Sequence, residues 1–434
     1  MLSADDDALL TQTGPGTPMG TLFRRFWVPV LLSREVPEPD GAPVRVTVLG
    51  EELVAFRETS GRVGLIDRRC AHRGADLFFG RNEDCGLRCV YHGWKFDADG
   101  GCVDIPTMAR DEGLRARVGL TSYPTREHGE MVWAYLGPPE HEPPLPALEF
   151  AALPPTHRFV SKKLQECNWA QSCEGALDTA HFSFLHTPLE VPDIPPAQRR
   201  HPFANATRWM RDDPAPVFHV LDHDAGLVLA ASRHADEGDL YWRITQYLLP
   251  NHSLAPGSAP GDIYFGQTWV PIDDRSCWIY VYSWNPDRPL TAREDHFIPG
   301  VPSVHAEVDD QWVPIRNRAN DYLIDREAQR TRSFTGIEGI SEQDAAIQDS
   351  QGVIADRTRE HLGPTDLGIV RFRRCVLDAA KALAGGVEPP AASRPDAYGV
   401  RGGGIVMPAD QEVPAVLQAR FGESSSIIGS TSSR

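Results

Sequence analysis

The chain has 434 residues, 41% of them apolar, and a formal charge of −17. At about 150 residues per domain that length gives two to three domains with room for buried cores, and the acidic balance argues against nucleic acid or anionic membrane as partners, since both reward a basic face. The opening Met1-Leu-Ser-Ala-Asp-Asp-Asp7 is acidic where a secretory signal would be basic, and no apolar run approaches a membrane span. A soluble enzyme in the cytoplasm, with no membrane association, is therefore expected. The eight cysteines (70, 85, 89, 102, 167, 173, 277 and 375) are expected as reduced thiols and metal ligands rather than disulfides.

Residues 1–32 predict a short helix, a Gly14-Pro15-Gly16 turn, and a segment whose Phe23, Phe26 and Trp27 must pack. Alternating Val44, Val46 and Val48, a Gly50-Glu51 turn, and the runs Leu53–Phe56 and Val63–Ile66 predict a meander that delivers the chain to Cys70. A turn at Asp97–Gly101 and a strand over Met131–Leu136 complete a mostly β domain, residues 1–140. Residues 137–155 hold seven prolines, so 141–155 is expected as a semi-rigid connector.

Beyond it, Arg158–Leu164 predicts a strand, residues 168–186 a helix that runs past a site, and residues 190–216 a Pro-rich irregular stretch. Five strands follow, Val217–Leu221, Leu227–Ser232, Leu240–Leu249, Ile263–Val270 and Cys277–Trp284, spaced as an antiparallel meander. Helices are expected over 305–332, 343–350 and 365–384, the last capped by Thr365 or Asp366 and ended by Gly385-Gly386. Residues 386–434 read as a tail whose last dozen residues are disordered. The fold class is thus α+β: an N-terminal all-β domain and a C-terminal domain, residues 156–385, with an antiparallel sheet covered by helices.

The chemistry starts at Cys70-Ala-His72, followed sixteen residues later by Cys89-Val-Tyr-His92. Two thiolates and two imidazoles in two short loops can hold a tetrahedral zinc or a 2Fe-2S cluster with unequally ligated irons. Structural zinc usually takes a Cys pair followed by a His pair, so that each loop offers one ligand type. Here each loop offers one of each, which suits both Cys on one iron and both His on the other, the Rieske pattern. Zinc, or cysteines that are merely buried, is the alternative. Gly74 and Gly93 let backbone amides approach the sulfides, and Trp94 covers one flank from water. Cys85 and Cys102 read as packing.

A second candidate follows Asn168-Trp169, where Glu174, Asp178, His181 and His186 occur within one predicted helix. A His pair five apart means little alone, because such positions point roughly 140° apart on a regular helix. Asp178 lies three residues before His181, and a π-bulge or the helix end before His186 brings both rings to one metal. Two His and a carboxylate on one face leave coordination positions open on Fe(II), the facial triad of non-haem oxygenases. The carboxylate must come from far along the chain.

Cys-x-His-x16-Cys-x2-His followed by Asn-Trp-x8-Asp-x2-His-x4-His resembles the oxygenase component of the Rieske non-haem iron ring-hydroxylating oxygenases. Thr13–Gly20, Cys89–Phe96, Asn168–His186 and Asp321–Leu362 resemble the phthalate 4,5-dioxygenase-like branch in particular, and the likeness runs to about residue 385. It implies a Rieske 2Fe-2S cluster on Cys70, His72, Cys89 and His92, and a mononuclear Fe(II) on His181, His186 and Asp344, with Asp325, Asp349 and Asp356 as capping or solvated decoys. It implies Asn168 and Asp178 as catalytic residues beside the iron, Asp178 hydrogen-bonding His181 and a cluster histidine of a neighbouring subunit. Ala170, Ser172 and Cys173 depart from the branch's usual residues, which leaves pocket shape open. The implied reaction is hydroxylation of an aromatic carboxylate such as a phthalate with dioxygen, or aryl-ether O-demethylation. The implied partners are a flavin and iron-sulfur NAD(P)H-dependent reductase and further copies of the chain, as a trimer or stacked trimers. An arginine on the pocket sheet would anchor the substrate carboxylate; Arg243 is the best placed, with Arg211 and Arg233 behind it. On the residues alone, an electron carrier and a zinc-stabilised binding module stay open.

Overall fold

The computed structural model describes residues 1–108, 112–190, 202–257, 263–292, 294 and 303–422. Helix α1 (Ala4–Thr11) starts where Ser3 accepts from the Asp6 N–H, and three aspartates in its first turn complement the helix dipole. α2 (Pro18–Phe23) has Thr17 as its cap and proline in its first turn. Then come β1 (Trp27–Leu32), β2 (Val44–Val48), β3 (Glu51–Arg57), β4 (Val63–Asp67), β5 (Arg81–Glu83), β6 (Gly86–Arg88), β7 (Lys95–Phe96), β8 (Cys102–Asp104), the single turn α3 (Glu112–Arg115), β9 (Thr125–His128) and β10 (Met131–Tyr135). These strands form three small antiparallel sheets, β1-β10-β9, β2-β3-β4 and β5-β6-β7-β8. A separate core of Val54, Phe56, Ile66, Leu77, Leu87, Trp94 and Phe96 lies under Cys70 and Cys89, and Cys102 packs in it as expected. Cys85 does not. It is exposed at φ +58° in the turn joining β5 to β6, a place set by hairpin geometry rather than by burial.

The second half contains α4 (Glu149–Ala152), β11 (Arg158–Gln165), α5 (Trp169–Leu177), α6 (Pro202–Asp212), β12 (Val217–His223), β13 (Gly226–His234), β14 (Asp239–Leu248), β15 (His252–Gly257), β16 (Tyr264–Pro271), β17 (Cys277–Trp284), α7 (Arg326–Thr331), α8 (Ile340–Ser350), α9 (Leu367–Ala384), β18 (Gly402–Pro408) and α10 (Val413–Phe421). Its sheet has eight strands in the order β11-β17-β16-β15-β18-β14-β13-β12. All pairings are antiparallel except β15 with β18, so the sheet is mixed rather than purely antiparallel. β14 pairs with β15 at one end and with β18 at the other, so the two strands diverge and a third fills the wedge. Gly402 fits there because a Cβ would strike the Ala255 carbonyl.

The expected tail is therefore structural over residues 402–421: it supplies a central strand and a helix. The last dozen residues lie outside the described ones. Part of the expected irregular stretch is helix α6; residues 191–201 lie outside the described residues. The expected helix over 305–332 reduces to a 3-10 turn (Arg318–Leu323) and α7. The Pro-rich stretch is no free spacer. Leu148 and Phe150 are buried, Phe150 stacks on Tyr282 at 4.0 Å, and the Trp27 indole N–H donates to the Pro143 carbonyl at 2.7 Å.

One core joins the halves. Phe23 meets Trp169 edge-on at 5.0 Å, and Trp169 meets Phe372 of α9, so α1 and α2 lie on the second half's helices. Between β1 and β11, Glu35 and Lys162 form a buried ion pair at 3.0 Å, with the Trp312 indole N–H donating to Glu35 and the ammonium 4.2 Å from the Trp278 ring centroid. Those extra partners are what a buried pair needs to offset its desolvation. Among the described residues no helix is long and apolar enough to cross a membrane.

Candidate metal centres

The first centre is built by two loops that close in the same way. Gly74 N–H donates to Cys70 O at 2.8 Å and Gly93 N–H to Cys89 O at 3.0 Å. Both glycines sit at positive φ, +70° and +75°, where a side chain would be strained. Cys70 and Cys89 are buried, whereas His72 and His92 are partly exposed with ring centroids 4.5 Å apart. Trp94 stacks parallel to His72 at 4.6 Å, and its indole N–H is buried without a partner among the described residues. Burial, with Cys89 beside it, pushes the Cys70 thiol up to about 11, so a bound metal ion must stabilise the thiolate. Only one group of three His, Cys or carboxylate donors among the described residues lies within 4.8 Å of one another, and it is not drawn from these loops. Four donors around one tetrahedral zinc would lie that close. Donors spread over two irons need not, and the orphaned indole N–H is a donor for a cluster, so the loops fit a 2Fe-2S group with Cys inside and His at the surface.

The second centre forms where α5 ends. Asn168 caps its start: the side-chain oxygen accepts from Ala170 N–H, and the amide donates to Thr11 O at 2.9 Å and Asp274 O at 2.8 Å. Every polar group of that buried side chain is engaged in capping α5 and in tying it to Thr11 and Asp274, away from the His181 and His186 pair beside which a catalytic role was expected. The helix stops at Leu177, Asp178 is its C-cap, and a 3-10 turn (His181–Ser183) swings the chain so that His186 faces His181. The helix end, not a π-bulge, brings the rings together. Their Nε2 atoms are 3.1 Å apart, and Asp344 Oδ1 of α8 lies 3.6 Å from the first and 3.2 Å from the second.

Each ring is held by its other nitrogen. His181 Nδ1 lies 3.3 Å from Asp178 Oδ2, and His186 Nδ1 donates to Gln343 Oε1 at 2.7 Å, while the Gln343 amide donates to Ile337 O. With the Nδ1 protons so engaged, both Nε2 lone pairs face the centre. Burial would raise the Asp344 carboxyl, but His186 and then His181 hold it below its ordinary range. Burial would lower His186, but Asp344 outweighs it and raises it. A two-imidazole, one-carboxylate set of this kind fits a divalent iron with open positions. The decoy carboxylates point elsewhere. Asp325 caps α7, Asp356 accepts from Thr358, and Asp349 accepts from Gln165 and Tyr322; the last is buried, not the solvated helix charge expected.

The three candidate arginines separate by partner. Arg211 pairs with its neighbour Asp212 at the surface, and Arg233 is consumed by Thr179 and the Asp213 carbonyl. Arg243 of β14 is 8% exposed, has no carboxylate within ion-pair reach among the described residues, and its Nε lacks a partner. Its guanidinium lies 4.0 Å from the ring centroid of Phe182, whose ring is 4.7 Å from that of His186. Gln343 and Phe182 carried no signal of their own, although Gln343 directly precedes the expected carboxylate. On the outer side, a cavity of about 180 Å³ is lined by Glu174, Asp178, His181, Asp344 and Glu360. Glu174 accepts from both Arg357 and Arg373, which together hold its carboxyl below the ordinary range against the opposing effect of burial.

Loops that suit an iron-sulfur cluster, joined to a sheet whose covering segments bring two imidazoles and a carboxylate together, belong to the class of iron-dependent oxidoreductases. Residues 26–124 match the Rieske 2Fe-2S domain family and residues 134–396 the family described as LigXa C-terminal domain like. The chain is 39% identical to the 3-chlorobenzoate-3,4-dioxygenase oxygenase subunit of Comamonas testosteroni, over 92% of this chain and 93% of that one. It is 41% identical to the phthalate 4,5-dioxygenase oxygenase subunit of Pseudomonas putida, over 89% and 88%, and 31% identical to the 5,5'-dehydrodivanillate O-demethylase oxygenase subunit of a Sphingobium species, over 91% and 84%. Dicamba monooxygenase shares the fold, with a TM-score of 0.57 at 17% identity over 84% of this chain and 99% of that one. The chain belongs to the Rieske non-haem iron oxygenases, as an oxygenase subunit of the phthalate 4,5-dioxygenase-like branch. Its cofactors are a Rieske 2Fe-2S cluster and a mononuclear iron.

Proposed function

We propose that this subunit hydroxylates an aromatic carboxylate, such as a phthalate or a benzoate, and that Arg243 binds the carboxylate. The observation that carries the reading is a buried arginine with no counter-ion among the described residues, one ring away from the histidine pair. A buried cation is costly unless paired, and an anionic substrate supplies the missing partner. The two relatives near 40% identity, named for a chlorobenzoate and a phthalate, support the same class.

In this reading Cys70 and Cys89 hold one cluster iron, His72 and His92 the other, and His181, His186 and Asp344 hold the mononuclear iron. When bound, the cluster supplies electrons one at a time and the mononuclear iron supplies dioxygen activation. The chain's own residues do the rest. Asp178 and Gln343 fix the two imidazoles by their Nδ1 protons, Phe182 packs against the Arg243 guanidinium, and Trp94 keeps water from one face of His72. Residues from 26 to about 140 form the cluster unit. The remainder forms the catalytic unit, on which residues 1–25 pack. Electrons come from a flavin and iron-sulfur NAD(P)H-dependent reductase in the cytoplasm. Copies of the chain assemble as a ring of three, single or stacked, so that Asp178 of one subunit meets a cluster histidine of the next.

The test is dioxygen uptake by the reconstituted system with a panel of phthalates, benzoates, methoxybenzoates and their methyl esters. Uptake stimulated much more strongly by the acids than by the esters is the expected result, and formaldehyde from the methoxy compounds would mark demethylation. Equal stimulation by acids and esters would overturn the carboxylate reading.

A further inference from the structure

Asp321, Tyr322 and Leu323 have φ of 49°, 54° and 51°, three consecutive non-glycine residues in the left-handed region. L-residues visit that region singly rather than in runs, and a fold maintains such a conformation only where surrounding contacts over-determine it. The contacts are visible. Asn317 and Asn320 hold the entry to the turn through bonds to the Ala319 and Asn317 N–H groups, at 2.9 and 3.0 Å, and Tyr322 N–H donates to Asn317 O at 3.0 Å. The turn leaves Asp321 and Leu323 exposed and drives Tyr322 inward to 7% exposure, against Ile337 and Ala345. There its hydroxyl donates to Asp349 Oδ2, while Gln165 donates to Oδ1 at 2.7 Å. Asp349 is buried, and no cation lies within ion-pair reach among the described residues. Those two donors, with the Cys167 thiol also hydrogen-bonded to it, are what satisfies it.

Asp349 sits on α8 five residues beyond Asp344. The segment that begins with the strained turn also reaches the histidine side. Asp325 N–H donates to Gly336 O and closes the segment into a lobe. Leu189 N–H donates to Arg332 O and Phe334 N–H to Thr187 O, directly after His186, and Ile337 O receives the Gln343 amide that orients His186. Residues 317–339 thus span the His186 loop and the Asp344 helix, and Tyr322 joins the lobe to that helix.

We propose that Tyr322 is a positioning residue for the mononuclear iron: the left-handed turn exists to deliver its hydroxyl to Asp349, which fixes α8 and with it Asp344 relative to His186. This rests on the reading of His181, His186 and Asp344 as the iron ligands. Tyr322→Phe keeps the ring and removes the only hydroxyl donor seen on Asp349 among the described residues, leaving the Gln165 amide and the weakly donating Cys167 thiol, so α8 must shift or admit water.

The experiment follows loss of mononuclear iron from the purified holoenzyme to a ferrous chelator, with the reduced Rieske EPR signal recording the other centre. Tyr322→Phe should release iron roughly ten times faster, the scale on which outer partners of metal ligands act, with the Rieske signal intact. Leu323→Gly relieves part of the strain at an exposed residue, and its unfolding midpoint should not fall below that of the parent. The deciding variant is Tyr322→Phe/Leu323→Gly. If it matches the parent in stability and still loses iron fast, Tyr322 positions the site. If its iron release returns to the parent rate, Tyr322 serves only global stability and the proposal is overturned, as it is if Tyr322→Phe releases iron normally. Asp349→Asn, which loses one of the two acceptors, replaces Tyr322→Phe should the latter not fold, with the same criteria. Asp344→Ala separates the two levels: iron retained there overturns the ligand reading itself, whereas iron lost there and kept in Tyr322→Phe overturns only the positioning role.

Discussion

Replacing Arg243 with glutamine tests the substrate reading most directly, because the structure predicts effects of different size on three measurements. The guanidinium is buried, and no carboxylate lies within ion-pair reach among the described residues. Asp344 attracts it only from beyond that reach, so a bound carboxylate would be its first direct ion-pair partner among the described residues, in a place where solvent screens little. Truncating one partner of a buried, hydrogen-bonded charge pair costs about 2–5 kcal/mol. Glutamine retains one amide donor, so about 2–4 kcal/mol is the relevant part, or roughly a 30- to 700-fold loss in kcat/KM for an aryl carboxylate. The methyl ester carries no charge and loses one ordinary hydrogen bond at most, about 1 kcal/mol and roughly fivefold. Without substrate the sign differs. Burial already lowers the Arg243 pKa, which marks a cation uncomfortable where it sits, so the variant's unfolding midpoint should not fall despite the lost stack on Phe182. Steady-state kinetics on an acid and ester pair, with thermal unfolding of the substrate-free protein, checks all three. Equal losses on acid and ester, or a destabilised variant, would refute the reasoning and make Arg243 structural.

Gln343→Leu orphans the Nδ1 proton of His186, so mononuclear iron affinity should fall roughly 10- to 100-fold in chelator competition with the Rieske spectrum unchanged; unchanged affinity would show that the ring needs no such hold. His305 and His252 are buried, and burial pushes each down to about 3 from an ordinary 6.5. The unfolded chain therefore binds protons that the folded chain refuses between those values. Stability is fully present above pH 6.5 and is lost as pH falls towards 3, by up to about 1.4 kcal/mol per pH unit for each histidine. Denaturant unfolding of His305→Gln should lose about that much less per unit between about pH 6 and pH 4, and parallel slopes would refute the assignment. Finally, Cys70→Ala, with iron but no cluster, and Asp344→Ala, with a cluster but no iron, should each be inactive and recover part of the activity when co-expressed in mixed oligomers. Hybrids of verified metal content with no activity above either parent would refute the path between subunits through Asp178.

What could be read from the sequence depended on how local the determining contacts are. The cluster loops were legible because each closes on itself within five residues, Cys70 with Gly74 and Cys89 with Gly93. The spacing of His181 and His186 meant little alone and gained weight from Asp178 three residues before; which of a π-bulge or the helix end brings the rings together was left open, since a helix that ends at Leu177 looks in sequence like one that continues. Asp344, 158 residues after His186, came only through resemblance. α6 was missed because residues 190–216 were read as irregular for their prolines, although proline favours the first turn of a helix. β18 was missed because Gly402, Gly403 and Gly404 have little strand propensity, and its place depends on the wedge between β14 and β15. The capping by Asn168 was not read, although an Asn just before a helix is a capping signal.

The arginines show where sequence and structure part. Arg243 was ranked ahead of Arg211 and Arg233 by its place on the expected pocket sheet, and their counterparts in the fold separate them further. Arg211 finds its partner in the next residue, Arg233 finds its own 54 residues back at Thr179, and Arg243 finds no carboxylate within ion-pair reach among the described residues. A counter-ion is a property of the folded chain, because burial sets how much an unpaired charge costs and topology sets what can reach it. Among the described residues, Arg243 is a buried guanidinium without a direct ion-pair partner, one ring away from the candidate iron ligands and attracted by Asp344 only at longer range. In the proposed reading an anionic substrate supplies that partner, so the charge of Arg243 is what favours an aryl carboxylate over a neutral ring.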